Sequence, residues 1–169
     1  MSILDIDDRI LKLIDLVDFN KSPIDDIKNF TARCAVGLLE GGCCNEENVH
    51  VLQLFRKNCD VLISLGECAT MGGIPAMRNT IPLKECLQEA YLDGPTVYNP
   101  KKIIPNDPDL PLLLNKVYPC HEVVKIDYFL PGCPPSADTI WAALTALLGW
   151  PMAVDLVVDT GAYTTGGAT

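Results

Sequence analysis

The sequence contains Ile126-Asp127-Tyr128-Phe129-Leu130-Pro131-Gly132-Cys133-Pro134-Pro135, a short apolar strand that leads into a turn with a cysteine at its tip. Pro131 fixes φ before the turn, and Gly132 allows a backbone conformation that a Cβ would resist. The two prolines after the cysteine stop the strand from continuing, because proline has no N–H to donate. We therefore expect Cys133 to be held at the carboxyl end of this strand.

A second stretch of the chain has the same design. Residues 60–66 have the pattern of a strand, Cys68 follows them, and Gly72-Gly73 closes the turn. In open α/β sheets, ligands gather outside the carboxyl ends of the strands. Two cysteines placed in this way are therefore expected to converge on one inorganic cofactor.

The composition is that of a single globular domain that does not bind polyanions. The chain has 169 residues, of which 49% are hydrophobic and 21% charged, which is enough to bury a substantial core. Its net charge of −9 argues against nucleic acid and anionic lipid, since both require clustered Lys and Arg. No apolar run approaches the roughly 18 residues of a membrane span, and residues 1–5 lack a secretory pattern. We therefore expect a cytoplasmic protein with no nucleic-acid or membrane partner.

The chain has eight cysteines, which in a reducing compartment are free, buried or bound to metal. Cys34, Cys59 and Cys86 lie on apolar faces of predicted elements, so we expect them to pack as small hydrophobic residues. Cys120 lies between a proline and His121, outside an obvious core face. A nucleophile-and-base pair at these two positions is disfavoured, because neighbouring side chains normally diverge.

Apolar spacing predicts an α/β domain with a mainly parallel sheet. A strand at residues 33–40, a helix from a cap at Asn45 to about residue 57, and the strand at 60–66 form one parallel βαβ unit. The other predictions are a helix over residues 4–17, a weak helix at 24–30, a helix from Pro82 to residue 90, a Pro-rich excursion at 94–119 with one helical turn at 110–116, and a helix capped by Ser136. We expect one domain over residues 1–150 and a mobile C-terminal extension over 151–169.

Several motifs, taken in this order, resemble the small subunit of [NiFe] hydrogenases, most closely the soluble NAD(P)-reducing type. The resemblance covers residues 1 to about 148. The motifs are Leu39-Glu40-Gly41-Gly42, Gly66-Glu67-Cys68-Ala69, Gly72-Gly73-Ile74-Pro75-Ala76-Met77-Arg78-Asn79, Tyr118-Pro119-Cys120-His121 and Pro131-Gly132-Cys133-Pro134-Pro135. The last of these alone is also found in the cluster-bearing subunit of respiratory complex I.

The resemblance implies a flavodoxin-like, three-layer fold that holds one proximal [4Fe-4S] cluster. The cluster would receive electrons from a Ni-Fe centre in a large subunit and pass them towards diaphorase subunits that reduce NAD(P). Cys68 and Cys133 match two of the four cluster ligands. Glu40 and Arg78 are candidates for a proton path or for contact with the partner. FMN is a further candidate cofactor, although no residue of the sequence identifies a flavin site.

The same resemblance implies two further cluster ligands in a Cys-x-x-Cys motif, and a strand before it, that this sequence does not contain. We expect both to lie upstream of Met1 in a longer chain or to have been lost. Cys43, Cys44 and Cys120 remain open as substitutes. The alternatives are a quinone-linked, complex I-like subunit, of which Cys43-Cys44 is a faint hint, and a truncated, cluster-free scaffold. The excursion at 94–119 and residues 74–77 are expected to be buried against the large subunit.

Overall fold

The computed structural model of the protein describes residues 2–22, 27, 29–149 and 155–159. Its strands are β1 Asp18–Phe19, β2 Cys34–Glu40, β3 Cys43–Asn45, β4 Cys59–Leu65, β5 Leu113–Tyr118, β6 Tyr128–Leu130 and β7 Asp155–Asp159. Its α-helices are α1 Arg9–Ile14, α2 Glu46–Asn58, α3 Glu67–Met71, α4 Leu83–Gln88 and α5 Ala137–Leu148. Shorter 3₁₀ turns cover Ser2–Ile6, Ile74–Thr80 and Cys120–Glu122, and a π-helical turn follows α4 at Glu89–Asp93.

The main sheet has five strands in the order β1-β7-β2-β4-β6, and every pairing in it is parallel. This arrangement confirms the predicted α/β fold and the βαβ unit of β2, α2 and β4. Because the strands are parallel, their carboxyl ends meet at one edge of the sheet. A second sheet joins β3 and β5 in antiparallel fashion.

Apolar side chains cover both faces of the main sheet, as predicted for a three-layer domain. On one face, β2 and β4 pack against the N-terminal helices and α5, through Ile3, Ile6, Leu13, Val36, Leu38, Ile63, Leu65, Ile140 and Leu144. On the other face they pack against α2, α3 and the turn at Cys120–Glu122, through Cys34, Leu39, Leu52, Phe55, Cys59, Leu62 and Ala69. Cys34 and Cys59 therefore behave as the predicted core residues.

The predicted caps of the two longest helices are confirmed. The Asn45 side chain accepts a hydrogen bond from the Asn48 N–H at 2.8 Å, and the Asn48 side chain accepts one from the Asn45 N–H in return. Ser136 Oγ accepts the Thr139 N–H at the start of α5. Side-chain caps satisfy N–H groups that the first helical turn leaves without partners.

The predicted helical turn at residues 110–116 is wrong, because β5 occupies Leu113–Tyr118 and pairs with β3. The side-chain amide of Asn79 stabilises this strand by bonding both the N–H and the carbonyl of Val117, each at 2.8 Å. These partners lie far away in sequence, so local apolar spacing does not reveal them. The opening helix is also divided in two, at Asp7, which has a φ of 56°.

The prediction of a mobile C-terminal extension over residues 151–169 differs from the structure at residues 155–159. These residues form β7, which lies inside the main sheet between β1 and β2. The sheet of the domain therefore includes residues beyond the predicted boundary at 150. Residues 160–169 lie outside the described residues, as does most of the weak helix predicted at 24–30, where residues 27 and 29 are not helical.

Candidate functional site

The site lies where β4 and β6 end side by side. Leu65 is the register partner of Leu130, and the Gly66 N–H then donates to the Leu130 carbonyl at 2.8 Å. Cys68 lies three residues beyond the end of β4, and Cys133 lies three residues beyond the end of β6. The pairing therefore carries both cysteines to the same edge of the sheet, as the sequence predicted.

A cavity of about 220 Å³ opens at this edge, and both cysteines line it. Cys68 is half-buried, whereas Cys133 is exposed. The lining residues are Glu40, Gly41, Leu65, Gly66, Glu67, Cys68, Gly132, Cys133, Pro134 and Pro135. Of the positions singled out from the sequence, the structure therefore brings Cys68, Cys133 and Glu40 together.

Glu67 joins the two cysteine turns, and the sequence reasoning missed it. Its backbone N–H donates to the Gly132 carbonyl at 2.9 Å, and its Oε1 accepts the Gly132 N–H at 3.2 Å. Both bonds go to the residue that directly precedes Cys133. The signal in the sequence was a carboxylate placed between a strand-end glycine and a candidate ligand, where it can bond N–H groups of a neighbouring turn.

Two glycines allow the chain to fold closely around the thiols. Gly132 has a φ of 139°, and a Cβ there would lie 2.5 Å from the Pro135 Cα. Gly73 has a φ of 50°, and a Cβ there would lie 3.1 Å from the Cys68 Sγ. Such backbone angles favour glycine, because other residues rarely adopt them. The peptide bond from Cys133 to Pro134 is cis.

The three cysteines considered as substitutes do not line the cavity. Cys120 is fully buried and its Sγ donates to the Gly41 carbonyl at 3.6 Å, so its expected place outside the core is wrong. Burial, with the neighbouring Cys44 as a smaller cause, raises the pKa of the Cys43 thiol to about 12. Burial also raises the pKa of Cys44, although Arg78 partly opposes it. Metal ligands are thiolates, so these environments disfavour Cys43 and Cys44 as ligands.

Arg78 and His121 also lie outside the residues that line the cavity. The Arg78 guanidinium donates to the carbonyls of Leu114 and Asn115, at 2.8 and 3.3 Å, and so holds β5 against the turn at Ile74–Thr80. His121 is exposed and its ring contacts Phe129, whereas Cys120 is buried. The side chains of Cys120 and His121 therefore diverge, as expected.

Large apolar side chains are exposed beside the site. Ile74 and Met77 are 71% and 69% exposed, and Met71 at the end of α3 is 67% exposed. The excursion at 94–119 exposes further apolar side chains at Tyr98, Ile103, Leu110 and Leu112. Exposed apolar patches commonly mark surfaces that bind another protein.

The donor set supplies half of what a cubane cluster requires. A [4Fe-4S] cluster takes four thiolates, and Cys68 and Cys133 are the two cysteines that line the cavity. Within residues 2–22, 27, 29–149 and 155–159, no three His, Cys, Asp or Glu side chains are grouped so that they could hold a metal ion. In the same described part of the chain, no helix is long and apolar enough to cross a membrane.

Comparisons with known proteins agree with this fold. A family model described as NADH ubiquinone oxidoreductase, 20 Kd subunit, matches residues 1–147. The NAD-reducing hydrogenase HoxS subunit delta of Cupriavidus necator is 52% identical over 149 residues, which are 88% of this chain and 71% of that protein. A subunit of the F420-non-reducing hydrogenase of Methanothermobacter thermautotrophicus is 36% identical over 150 residues, which are 88% of this chain but only 48% of that protein.

One solved structure gives the same result in three dimensions. A chain from the crystal structure of an NAD+-reducing [NiFe]-hydrogenase in the H2-reduced state superposes with a TM-score of 0.83 and 46% identity, over 88% of this chain and 82% of that one. The chain therefore belongs to the family of the 20 kDa subunit of NADH ubiquinone oxidoreductase, and the resemblance to NAD(P)-reducing [NiFe] hydrogenases that its motifs predicted is confirmed.

Proposed function

We propose that this chain is the electron-transfer small subunit of a cytoplasmic, NAD(P)-reducing [NiFe] hydrogenase. In this role it would relay electrons from a Ni-Fe centre in a large subunit towards diaphorase subunits. The observation that carries the proposal is that Cys68 and Cys133, 65 residues apart along the chain, line one cavity at the carboxyl edge of a parallel sheet. The similarity to a subunit of an NAD-reducing hydrogenase supports the choice of complex.

Cys68 and Cys133 would hold a [4Fe-4S] cluster by their thiolates, and that cluster would supply one-electron transfer. The flanking Pro134 and Pro135 line the same cavity. Turns with glycine at positions 66 and 132 let backbone groups approach the site closely, and such groups tune cluster potentials. We propose that the two further thiolates come from a Cys-x-x-Cys segment outside this sequence. FMN remains a prediction, and no described residue identifies a site for it.

The large subunit would cover the exposed apolar residues beside the cavity. Ile74 and Met77 lie on the turn that follows α3, the helix that contains Cys68. Obligate interfaces are apolar, and their cores resemble the interior of a domain. Glu40 lines the cavity and so remains a candidate for a proton path, while Arg78 remains a candidate for contact with the partner.

Specific observations bear on the two alternative functions, a quinone-linked subunit and a cluster-free scaffold. The family model is named for a subunit of NADH ubiquinone oxidoreductase, which favours a quinone-linked subunit. However, the adjacent cysteines that hinted at it include Cys43, which is fully buried and has a pKa of about 12. A cluster-free scaffold is favoured by the incomplete ligand set at the cavity.

Iron and acid-labile sulfide analysis of the anaerobically purified protein, with its visible spectrum, separates the proposal from the scaffold. The proposal predicts iron and sulfide in about equal amounts when the chain is produced with any natural upstream segment, and their loss in both Cys68→Ser and Cys133→Ser. Cys86→Ser is the matched control, because Cys86 is a half-buried thiol on α4 that does not line the cavity. A colourless wild-type protein would support the scaffold instead.

A further inference from the structure

Glu67 lies between the two proposed ligands and contacts the turn that carries the second of them. It directly precedes Cys68 in the chain, and two of its hydrogen bonds go to Gly132, which directly precedes Cys133. One bond is made by its backbone N–H and the other by its side-chain Oε1. The two cysteines therefore directly follow the two residues, Glu67 and Gly132, that these bonds join.

These bonds continue the pairing of β4 with β6 beyond the ends of the strands. The backbone contacts run from the Leu65 and Leu130 register pair, through the bond from the Gly66 N–H to the Leu130 carbonyl, to the bond from the Glu67 N–H to the Gly132 carbonyl. β6 has only three residues and is the outermost strand of the sheet, where it pairs with β4 alone. Its own backbone hydrogen bonds therefore fix the following turn weakly. The carboxylate adds a charge-assisted bond at the point where the ladder ends.

We propose that Glu67 is a positioning residue, which holds Gly132 by two hydrogen bonds and thereby sets the separation of the Cys68 and Cys133 thiols. The inference rests on the proposed function in that the two thiols would serve as ligands of one cluster. The role requires an acceptor oxygen at this position rather than a negative charge. Gln therefore fulfils it, and Ala does not.

A thiol cross-linking experiment tests this role without any cofactor. The reduced, cofactor-free full-length chain is treated with dibromobimane, which joins two thiols that lie within a few ångströms, and the joined peptides are identified by mass spectrometry. We expect a cross-link between Cys68 and Cys133 in the wild-type protein. In Glu67→Ala we expect its rate to fall about tenfold, because the turn then keeps only the backbone bond from residue 67 and presents the second thiol in many orientations. In Glu67→Gln the rate stays within about twofold of wild type, since the amide oxygen still accepts.

Controls separate positioning from general loss of structure. The rate at which monobromobimane, a single-headed reagent, labels Cys133 should be unchanged in Glu67→Ala, because this thiol is exposed already. The thermal midpoint and the protection of the buried Cys59 report whether the variant is folded. Glu85→Ala, at an exposed carboxylate on α4, should cross-link like wild type.

The inference is overturned if Glu67→Ala cross-links as fast as wild type, if Glu67→Gln is as slow as Glu67→Ala, or if the wild type forms no cross-link between these thiols. Its failure is distinguishable from failure of the proposed function. A wild-type chain that cross-links normally but contains no iron or sulfide, even with the upstream segment present, would support the role of Glu67 and contradict the proposed function.

Discussion

Gly132 is the residue whose backbone shapes the Cys133 turn. Its φ of 139° is unfavourable for any residue with a Cβ, and a Cβ would lie 2.5 Å from the Cα and 2.7 Å from the N of Pro135. The turn thus folds back on itself directly before the cysteine. A side chain at this position has to displace backbone atoms, which cannot move as freely as the end of a side chain.

Replacing Gly132 by Ala is expected to lower the free energy of unfolding by about 1–3 kcal/mol, the usual cost of a strained backbone position. Urea denaturation measures the change. Gly149→Ala is the matched control, because Gly149 has a φ of −73° and a Cβ there would meet its nearest atom at 3.4 Å. An unchanged or slightly raised stability is expected for the control. Equal stabilities of the two variants would contradict the geometry of the turn.

The cysteines are expected to differ in reactivity according to their burial. Burial raises the pKa of Cys43 and Cys59 to about 12, with smaller contributions from Cys44 and Cys34 respectively, and both side chains are fully buried. Iodoacetamide at about pH 8 should therefore modify Cys133 and leave these two unmodified until urea unfolds the chain, because the thiolate is the reactive form. Peptide mass spectrometry gives the order of modification. Labelling of Cys59 in the native protein at the rate of Cys133 would disprove the assigned burial.

The sequence was sufficient to predict where Cys68 and Cys133 lie, but not what holds them. Both follow apolar runs that are recognisable as parallel strands, and such strands end at a common edge. Glu67 was missed because its partner, Gly132, is 65 residues away. Arg78 was given as a candidate for a proton path or for contact with the partner, and the sequence did not reveal that its guanidinium bonds carbonyls of β5.

Among the helices and strands, one ion pair ties α2 to the beginning of β6. Arg56 donates to Asp127 Oδ2 at 2.6 Å and also to the carbonyls of Cys59, Asp60 and Lys125. Asp127 Oδ2 accepts the Leu62 N–H as well, at 2.9 Å. The pair lies at the edge of the sheet opposite the cysteines, and it helps to fix the register in which β6 carries Cys133 to the site.

Asp127→Asn should lower the free energy of unfolding by about 1–3 kcal/mol at neutral pH, the range for a partly buried, charge-assisted bond. Both side chains are less than a third exposed. The matched control is Asp60→Asn, which breaks the Arg33 to Asp60 ion pair, whose side chains are 65% and 40% exposed. The control should cost under about 1 kcal/mol. A cost for Asp127→Asn no greater than that of the control would argue that the pair does not fix the register.

The same ion pair predicts a dependence of stability on pH. Burial by itself would raise the pKa of Asp127, but the hydrogen bonds from Arg56 and the Leu62 N–H, together with the charges of Arg56 and Lys125, outweigh it and hold the pKa below its ordinary value of 3.8. A lowered pKa in the folded state stabilises the protein above the unfolded-state pKa, and this stabilisation is lost as the pH falls through the folded-state value. The stability difference between wild type and Asp127→Asn should therefore be full at neutral pH and shrink below about pH 4, as urea titrations at a series of pH values can establish. A difference that stays constant down to about pH 2 would contradict this assignment.

Elements that local signals specify were predicted, and elements defined by distant partners were not. Strands β2 and β4, helix α2 with its Asn45 cap, and helix α5 with its Ser136 cap all have strong local patterns. By contrast, β1 has two residues and β3 has three, too few for any periodicity to appear. β5 also lacks a clean alternation, since Asn115 and Lys116 are adjacent at its centre. Its backbone is bonded by the side chains of Arg78 and Asn79 as well as by β3.

Across the molecule, the last described strand completes the sheet that the first strand begins. β7 pairs with β1 through Asp155 and Leu156, and with β2 through residues 156–159. In the five-strand order, β1 joins the sheet only through β7. This arrangement was not predictable from local patterns, because the apolar run at 155–159 is short and its neighbours in the sheet are far away along the chain.

Val157→Pro is expected to open this part of the sheet, because proline cannot donate a hydrogen bond inside a central strand. Hydrogen exchange measured by mass spectrometry should become faster in β1 and β2. Exchange in β3 and β5 is the internal control and should change little, since these strands form a separate sheet. Unchanged protection of β2 would show that β7 does not hold the central position.

The proposed function of the molecule depends above all on Cys68 and Cys133 being ligands of one cluster that carries electrons from hydrogen. Electron paramagnetic resonance of the complete complex, with its partner subunits, examines this when the sample is reduced under H2. We expect the signal of the reduced proximal cluster to be present in the wild type and in Cys86→Ser, and to be lost in Cys68→Ser and in Cys133→Ser. A cluster signal that is unchanged in complexes assembled with the two serine variants would contradict the assignment.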